Sequence, residues 1–449
     1  MSSQSPPVLQ QHRRQLRRLC QVHISANCQL PTQTNQVLKM SNFVELAIKF
    51  HNFRNGVAKE KAALRKTDKP LRAGVLSAAA INFTAFFDPV ESHADIIIAG
   101  VAARALDKAQ AQIDKYKLTD AKAYGSYDEL LSDPAIDLIY TALPNGLHAQ
   151  WVIKALEKGK HVLVEKPIAS TAADVDKIRA AADKSGKVVL EAVHWRFHPV
   201  AHLVKETIES GKYGKVESFS TNMVLPGGIL SSDDIRFRYD LAGGASMDLN
   251  YVLSAARYIC NSKGDATVDI QEAKARINAK DPKVDEAMDT VIVFTHPEDG
   301  SKITSKTHGD LNTPKLLGVI PRFWDATPSF TVELTKARLH LDNFVGPYMS
   351  HSVTITHKDA NGKLTGKKEG LSAYKGGSHW GERGQKWWTT YRYQLEAFVD
   401  MIRAAEAGNK DGEGAVACWV NLDESKGVLE LIDGVYDKAG LPRRESAGL

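Results

Sequence analysis

Two hydrophobic patterns alternate between residues 70 and 195. Short apolar runs are each followed by a stretch in which apolar residues recur at helical spacing. Strands that alternate with helices form a parallel sheet covered on both faces, and right-handed crossovers make that sheet doubly wound. The pattern therefore predicts an α/β doubly wound parallel-sheet (Rossmann) domain over residues 70–195. The predicted strands are residues 73–76, 95–103, 136–143, 161–164 and 187–193.

Beyond residue 196 the period changes to the alternation typical of half-buried strands, with turn signals such as Pro297-Glu298-Asp299-Gly300 between them. Two strongly periodic helices, residues 391–405 and 425–438, follow. We expect an α+β domain over residues 196–449 with a large, mostly antiparallel open sheet, onto which the C-terminal helices pack back. The predicted strands are residues 216–222, 267–277, 289–295, 302–308, 330–341 and 352–357.

The N-terminal residues differ in composition from the rest of the chain. Residues 1–44 contain no acidic residue, and four arginines stand in two pairs, at positions 13, 14, 17 and 18. One interpretation is a mitochondrial-type presequence, which is rich in Arg and poor in acids. The other is a disordered extension, or a translation start at Met40. We expect residues 1–69 to be an N-terminal extension that is partly disordered or helical.

The composition of the chain limits the classes of binding partner that we expect. Hydrophobic residues make up 43% of the chain and charged residues 25%, which is ordinary for a globular protein. A net charge of +5 without a basic stripe argues against nucleic acid, and no apolar run is long enough to cross a bilayer. The four cysteines are scattered without metal-ligand spacing, so we expect no metal site and a reducing compartment, the cytoplasm.

The turn after the first predicted strand has the position of a dinucleotide-binding turn. Such a turn needs small residues so that the backbone can approach the pyrophosphate at a helix N-terminus. Residues 77–82 read Ser-Ala-Ala-Ala-Ile-Asn, in which serine and alanine replace the usual glycines. We therefore predict cofactor contacts from Ser77, Ala79, Ala80 and Ile81.

The end of the second strand indicates which dinucleotide is used. An acid at this position holds the ribose hydroxyls of NAD, whereas an arginine receives the additional phosphate of NADP. The chain has Arg104 here, and a guanidinium matches a phosphate well. NADP is the predicted cofactor, and NAD is disfavoured.

Two further segments follow the third and fourth predicted strands. The carboxyl ends of neighbouring parallel strands open onto one crevice, so both segments are expected at the cofactor. They contribute the predicted cofactor contacts Leu143, Pro144, Asn145, His148, Glu165 and Lys166.

Taken together, several motifs resemble the glucose-fructose oxidoreductase and inositol dehydrogenase (Gfo/Idh/MocA) family over about residues 72–443. Within it they look most like the branch of NADP-dependent D-xylose 1-dehydrogenases and dihydrodiol dehydrogenases. The motifs, besides Pro144-Asn145 and His148, are residues 159–167 (GKHVLVEKP), 191–199 (EAVHWRFHP), 211–216 (GKYGKV), 243–248 (GGASMD) and 391–398 (YRYQLEAF).

The resemblance implies an enzyme, an NAD(P)-dependent dehydrogenase that moves hydride from a cyclic sugar hydroxyl, of D-xylose or a similar pyranose, to the nicotinamide. A dihydrodiol or another cyclic polyol is the alternative substrate. Family members use the sheet of the second domain for substrate and commonly for oligomer contacts, so a homodimer through that sheet is expected. Side chains such as Arg236, Arg238 and Tyr239 would then set substrate choice.

The resemblance also implies site residues. Lys166, in Glu-Lys-Pro, would lie near nicotinamide and substrate oxygen, Arg196 would contact the cofactor, and Asp248 would orient substrate or base. The family's proton acceptor follows that Asp by four positions, whereas Tyr251 follows it by three. Spacings of three and four share a helix face, so Tyr251 stays the leading acceptor.

His194 and His198 are alternative bases, since histidine titrates near neutrality. A different class of function also stays open, because the altered turn and the shifted tyrosine are compatible with a catalytically silent NADP-binding sensor or scaffold. Such a protein would bind NADPH without turning over any substrate.

Overall fold

The structure is a computed structural model that describes residues 40–261, 264–409 and 418–446. Residues 38–449 group into one compact unit that contains both sheets. The predictions about a presequence, and about Cys20 and Cys28, fall outside the described residues. Within the described part of the chain, no helix combines the length and apolarity that crossing a bilayer requires.

The first sheet has six strands in the order β3-β2-β1-β4-β5-β6, and every pair is parallel. Apart from the edge strand β3, the strands are largely buried on both faces because helices cover them, as the continuous apolar runs predict. The strands are β1 (Leu71–Leu76), β2 (Ile96–Ala102), β3 (Lys122–Tyr124), β4 (Leu138–Thr141), β5 (His161–Val164) and β6 (Val189–Glu191). The helices between them are a π-helix (Phe83–Phe87), α3 (Asp88–Glu91), α4 (Leu106–Tyr116), α5 (Tyr127–Ser132), α6 (His148–Glu157) and α7 (Ala172–Ser185).

The second sheet has eight strands in the order β14-β13-β12-β11-β7-β10-β9-β8. Only the central pair β10 and β7 is parallel among the described pairs. The strands are β7 (Val216–Pro226), β8 (Thr267–Ile277), β9 (Asp285–Thr295), β10 (Lys302–Thr313), β11 (Ser329–Leu334), β12 (Ala337–Asp342), β13 (Val353–Lys358) and β14 (Leu364–Leu371). The helices of this half are α8 (Pro199–Glu209), α9 (Ala245–Asp248), α10 (Tyr251–Cys260), α11 (Thr390–Glu406) and α12 (Leu422–Ala439).

The predicted fold class is confirmed, with three differences in detail. The pattern missed β3, a short edge strand, and β14, whose lysine-rich sequence lies at the other sheet's edge. The single run predicted over residues 330–341 is two strands. The chain reverses there because Thr335 and Lys336 donate their backbone N–H groups to the carbonyls of Lys215 and Tyr213.

Two helices precede the first sheet, α1 (Met40–Arg54) and α2 (Val57–Ala63), and they are the helical part of the predicted extension. They are attached to the body through polar contacts. The His51 ring lies 2.9 Å from the Trp387 carbonyl oxygen, and Asn52 and Lys61 both donate to the Asp88 carboxylate. The compact part of the chain therefore begins before residue 70.

Gly244 makes room for a buried ion pair that anchors α9. The Asp285 carboxylate accepts hydrogen bonds from the Ser246 N–H and hydroxyl, both at 2.7 Å, and pairs with Arg444 at 2.9 Å. A Cβ on Gly244 would lie 2.2 Å from an Asp285 oxygen, so no side chain fits there. This anchor fixes the helix that ends in Asp248.

Replacing Arg444 with methionine should destabilise the protein strongly, because the Arg444–Asp285 pair is fully buried and the carboxylate would lose its counter-charge. We expect a loss of about 3–5 kcal/mol in the free energy of unfolding, measured by denaturant titration. Arg443→Met is the matched control, since the neighbouring Arg443 pairs with Asp437 at the surface and should cost less than about 1 kcal/mol. Equal stability of the two variants would contradict this anchor.

Candidate active site

Lys166 and Asp248 meet where the two halves of the chain join. Lys166 follows β5 and precedes Pro167 across a cis peptide bond. Its ammonium group donates to the backbone carbonyl of Asp248 at 2.6 Å and lies 3.3 Å from the Asp248 carboxylate. Two predicted catalytic residues, 82 positions apart in sequence, are therefore in direct contact.

Arg236 binds the other side of the same carboxylate. Its Nε donates to Asp248 at 2.9 Å, and its Nη1 donates to Asp234 at 3.0 Å. Burial alone would raise the pKa of Asp248, but the Arg236 and Lys166 cations outweigh that effect and lower it. Asp248 is therefore ionised at neutral pH and holds Lys166 in place.

Tyr251 joins this cluster despite its shifted spacing. The chain leaves α9 after Asp248 and starts α10 at Tyr251, so the two residues do not lie on one continuous helix. The Lys166 ammonium lies 5.1 Å from the centre of the Tyr251 ring, within cation–π range. Burial, and then the charges of Glu165 and Asp248, raise the pKa of Tyr251 well above its ordinary value.

His194 is the partner of the Tyr251 hydroxyl. Its Nε2 lies 2.9 Å from that oxygen, and its Nδ1 lies 2.8 Å from the Thr390 hydroxyl. Burial, followed by the Lys166 charge, lowers the pKa of His194 to about 3. The His194 imidazole is therefore uncharged at neutral pH in the resting state.

The turn after β1 has the backbone shape that a phosphate-binding turn needs. Ser77 adopts a φ of 113°, a region that glycine favours, and its carbonyl and hydroxyl bind Asn82 and the N–H of Ala79. Ala80 is exposed, and Ala79 and Ile81 are half-buried. Small side chains on an open turn leave room for a pyrophosphate. The helix that follows begins as a short π-helix, which differs from the expected regular helix.

Sequence reasoning missed the two residues that hold this turn. Asn82 is fully buried, and its side-chain nitrogen donates to the Ser77 carbonyl and to the side-chain oxygen of Gln112. The side-chain nitrogen of Gln112 in turn donates to the Ala79 carbonyl. The Asn in the motif and a Gln on the facing side of α4 are the only sequence signals of this arrangement. The hydrogen bonds of Asn82 and Gln112 therefore hold this turn in its conformation although the usual glycines are missing.

Arg104 is exposed just after β2. Among the residues that the structure describes, its guanidinium has no hydrogen-bond or ion-pair partner. The turn after β1 and an unpaired arginine after β2 lie at the carboxyl ends of adjacent parallel strands, which fits a dinucleotide with a 2′-phosphate.

The segment after β4 connects the crevice to the second half. Asn145 donates to the Ala242 carbonyl at 3.1 Å, and Leu143 is buried beside the half-buried Pro144. His148 is fully buried, with its ring nitrogens 2.8 Å from the Leu143 carbonyl and 2.7 Å from that of Pro167. His148 therefore connects the two loops through its ring, and its predicted cofactor contact stays a prediction.

Glu165 also faces inward. Its carboxylate accepts from the Tyr140 hydroxyl at 2.9 Å, and burial raises the pKa of the carboxyl against the opposing effect of Lys166. Glu165 and Tyr140 thus form a buried hydrogen-bonded pair beside Lys166.

Arg196 and His198 lie away from this cluster. Arg196 pairs with Glu424 at 3.2 Å and stacks on Tyr258, where it lines a separate cavity of about 350 Å³. His198 caps α8 by accepting from the Val200 N–H. The stretch after β6 turns these side chains towards α8, α10 and α12, so neither lies in the Lys166 cluster, and their predicted roles stay predictions. Only His194 of this stretch reaches the Lys166 cluster.

The structure also bears on metal ions. Among the described residues, no group of three or more His, Cys, Asp or Glu side chains is arranged to hold one. Cys260 and Cys418 are buried and free.

A small-residue turn, an unpaired arginine and a lysine–carboxylate pair at the edge of a doubly wound sheet define a two-domain dinucleotide-dependent oxidoreductase. Residues 74–193 match the Gfo/Idh/MocA oxidoreductase family, NAD-binding Rossmann fold. Over these residues the resemblance to that family, which the motifs predicted, is confirmed.

Individual relatives agree with this assignment. The chain is 28% identical to a D-xylose 1-dehydrogenase (NADP(+)) of Haloferax volcanii over 82% of this chain and 96% of that protein. It is 34% identical to the mouse trans-1,2-dihydrobenzene-1,2-diol dehydrogenase over 40% of this chain and 53% of that protein. A crystal structure of a 3-ketoreductase from Actinomadura kijaniata, in complex with NADP and TDP-benzene, shares the fold with a TM-score of 0.65 and 21% identity, over 82% of this chain and 98% of that one.

Proposed function

We propose that this protein is an NADP-dependent dehydrogenase that oxidises a hydroxyl of a cyclic sugar, D-xylose or a similar pyranose. The observation that carries the proposal is the contact of Lys166 with Asp248 beside the Tyr251 ring, at the carboxyl end of β5. Active sites of doubly wound folds lie at this edge.

When bound, NADP accepts the hydride, and the protein supplies position and charge. The Lys166 ammonium stabilises negative charge on the substrate oxygen as its proton leaves. Asp248 holds the ammonium in place, and Arg236 keeps Asp248 ionised and oriented. Tyr251 receives the proton of the substrate hydroxyl. Because its raised pKa keeps the phenol protonated at neutral pH, it gives up its own proton at the same time.

Two observations support NADP. Arg104 is exposed and unpaired after β2, where the 2′-phosphate of NADP is received in this fold. The Haloferax relative, which this chain matches over nearly its whole length, is named for NADP(+).

That relative also supports a pyranose substrate, since its name specifies D-xylose. The mouse relative favours a second candidate, a dihydrodiol or another cyclic polyol, although the match covers about half of that protein. Both substrates present a ring hydroxyl next to another oxygen, so the same lysine–carboxylate pair would serve either.

A panel of aldoses and cyclic diols, assayed by NADPH absorbance, tests the function. We expect turnover of D-xylose or a related pyranose, and we expect Lys166→Met to lower kcat about a hundredfold to a thousandfold through loss of the oxygen-stabilising charge. Lys158→Met, on the exposed end of α6, is the control and should keep full activity. Absence of turnover on every aldose would contradict the pyranose substrate. Tight NADPH binding without turnover of any substrate would favour the silent sensor instead.

Removing the Arg104 guanidinium tests the cofactor preference. Arg104→Ala should weaken NADP binding about tenfold to a hundredfold, because a hydrogen-bonded phosphate contact contributes about 1.5–3 kcal/mol. NAD binding should change far less. Dissociation constants for both cofactors, measured by calorimetry, check this result, with Arg65→Ala as a surface control. Unchanged NADP affinity would remove the basis for this role of Arg104.

A further inference from the structure

A buried chain of three side chains runs from the catalytic cluster into the C-terminal helix α11. It begins at the Tyr251 hydroxyl, passes through both nitrogens of His194 and ends at the Thr390 hydroxyl. The exposed fractions of Tyr251, His194 and Thr390 are 6%, 2% and 0%. Water therefore has little access to the connection between them.

Thr390 is available for this contact because its neighbour performs the local backbone task. Thr389 is the N-cap of α11, and its side chain accepts from the Arg392 N–H. The next residue is inside the helix, and its hydroxyl is aimed at His194, 196 positions earlier in sequence. Thr389 thus caps the helix, and the adjacent Thr390 binds His194.

The surroundings hold the imidazole neutral and fixed in orientation. The Tyr391 ring packs on it, with ring centres 4.0 Å apart and planes tilted by 32°. A neutral imidazole has one donor nitrogen and one acceptor nitrogen, so a Thr390 hydroxyl that accepts at Nδ1 leaves Nε2 as the acceptor. Thr390 is the group bound at Nδ1.

We propose that Thr390 is a positioning residue that holds the proton of His194 on Nδ1, so that His194 accepts the Tyr251 proton at Nε2. The proposal rests on the proposed function and deepens it, because it states where the substrate proton goes. Thr390 accepts from Nδ1–H, Nε2 accepts from the Tyr251 hydroxyl, and a lone pair of the Tyr251 oxygen is left for the substrate.

The proton and electron transfers balance. The substrate hydroxyl gives its proton to the Tyr251 oxygen while Tyr251 gives its own proton to Nε2 of His194. With NADP bound, the C–H bond of the same substrate carbon would break as the C=O bond forms, and the nicotinamide would supply the acceptor for the hydride that leaves. His194 is then a short-lived imidazolium. Because burial and the Lys166 charge disfavour this cation, its proton returns through Tyr251 to solvent as soon as the product leaves. In the opposite tautomer, Nε2–H would donate to Tyr251 and block this path.

Kinetics of matched variants test the chain of contacts. Thr390→Val keeps the shape and loses the hydroxyl, so kcat should fall about tenfold to a hundredfold, while NADPH affinity measured by fluorescence stays unchanged. Thr390→Ser keeps the hydroxyl and should retain kcat to within about threefold. The double variant His194→Gln/Thr390→Val should be no slower than His194→Gln alone, because Thr390 acts through His194. Unchanged kcat in Thr390→Val, or losses that add in the double variant, would overturn the proposal.

A second measurement is independent of turnover. In protein labelled with ¹⁵N-histidine, the His194 signal is identified among 15 histidines by its loss in His194→Gln. We expect wild-type His194 to carry its proton on Nδ1 and Thr390→Val to lose that preference. A proton on Nε2 in the wild type would overturn the proposal. If no sugar is turned over, the proposed function fails, and this tautomer measurement still decides the role of Thr390.

Discussion

The carboxylate of Asp248 is the point on which the candidate site depends. The carboxylate binds Arg236 on one side and Lys166 on the other, and the backbone carbonyl of Asp248 accepts a second hydrogen bond from Lys166. A single buried anion thereby joins a loop of the first sheet to a loop of the second. Because two cations face it, the pKa of Asp248 is lowered although the group is buried, and the ion cluster persists at neutral pH.

The supporting structure serves to place that carboxylate. The Asp285–Arg444 pair anchors the start of α9, and Gly244 admits it by having no side chain. In the first domain, the hydrogen-bonded pair of Glu165 and Tyr140 lies next to Lys166. The cluster is therefore held by buried polar contacts whose members come from distant parts of the chain.

Much of this could be predicted from local sequence. Periodicity located both sheets, and the motifs singled out Lys166, Asp248 and Tyr251, which the fold brings together. Edge strands β3 and β14 were missed because short or lysine-rich strands carry little apolar signal. The contacts that Arg196, His148 and His198 make in the structure could not be predicted, since a motif says which loop a residue is on but not which way its side chain points. Asn82, Gln112 and Thr390 could not be found, because their partners are brought together only by tertiary packing.

Tracing the hydrogen that moves tests the central claim most directly. D-Xylose deuterated at C1 would be incubated with the enzyme and NADP, and the reduced cofactor analysed by mass spectrometry and NMR. The account predicts one deuterium on the nicotinamide ring, transferred by wild type and retained at the same ring face in slower variants of Tyr251. NADP bound at this crevice with no deuterium transferred from D-xylose or any other deuterated pyranose would contradict the account.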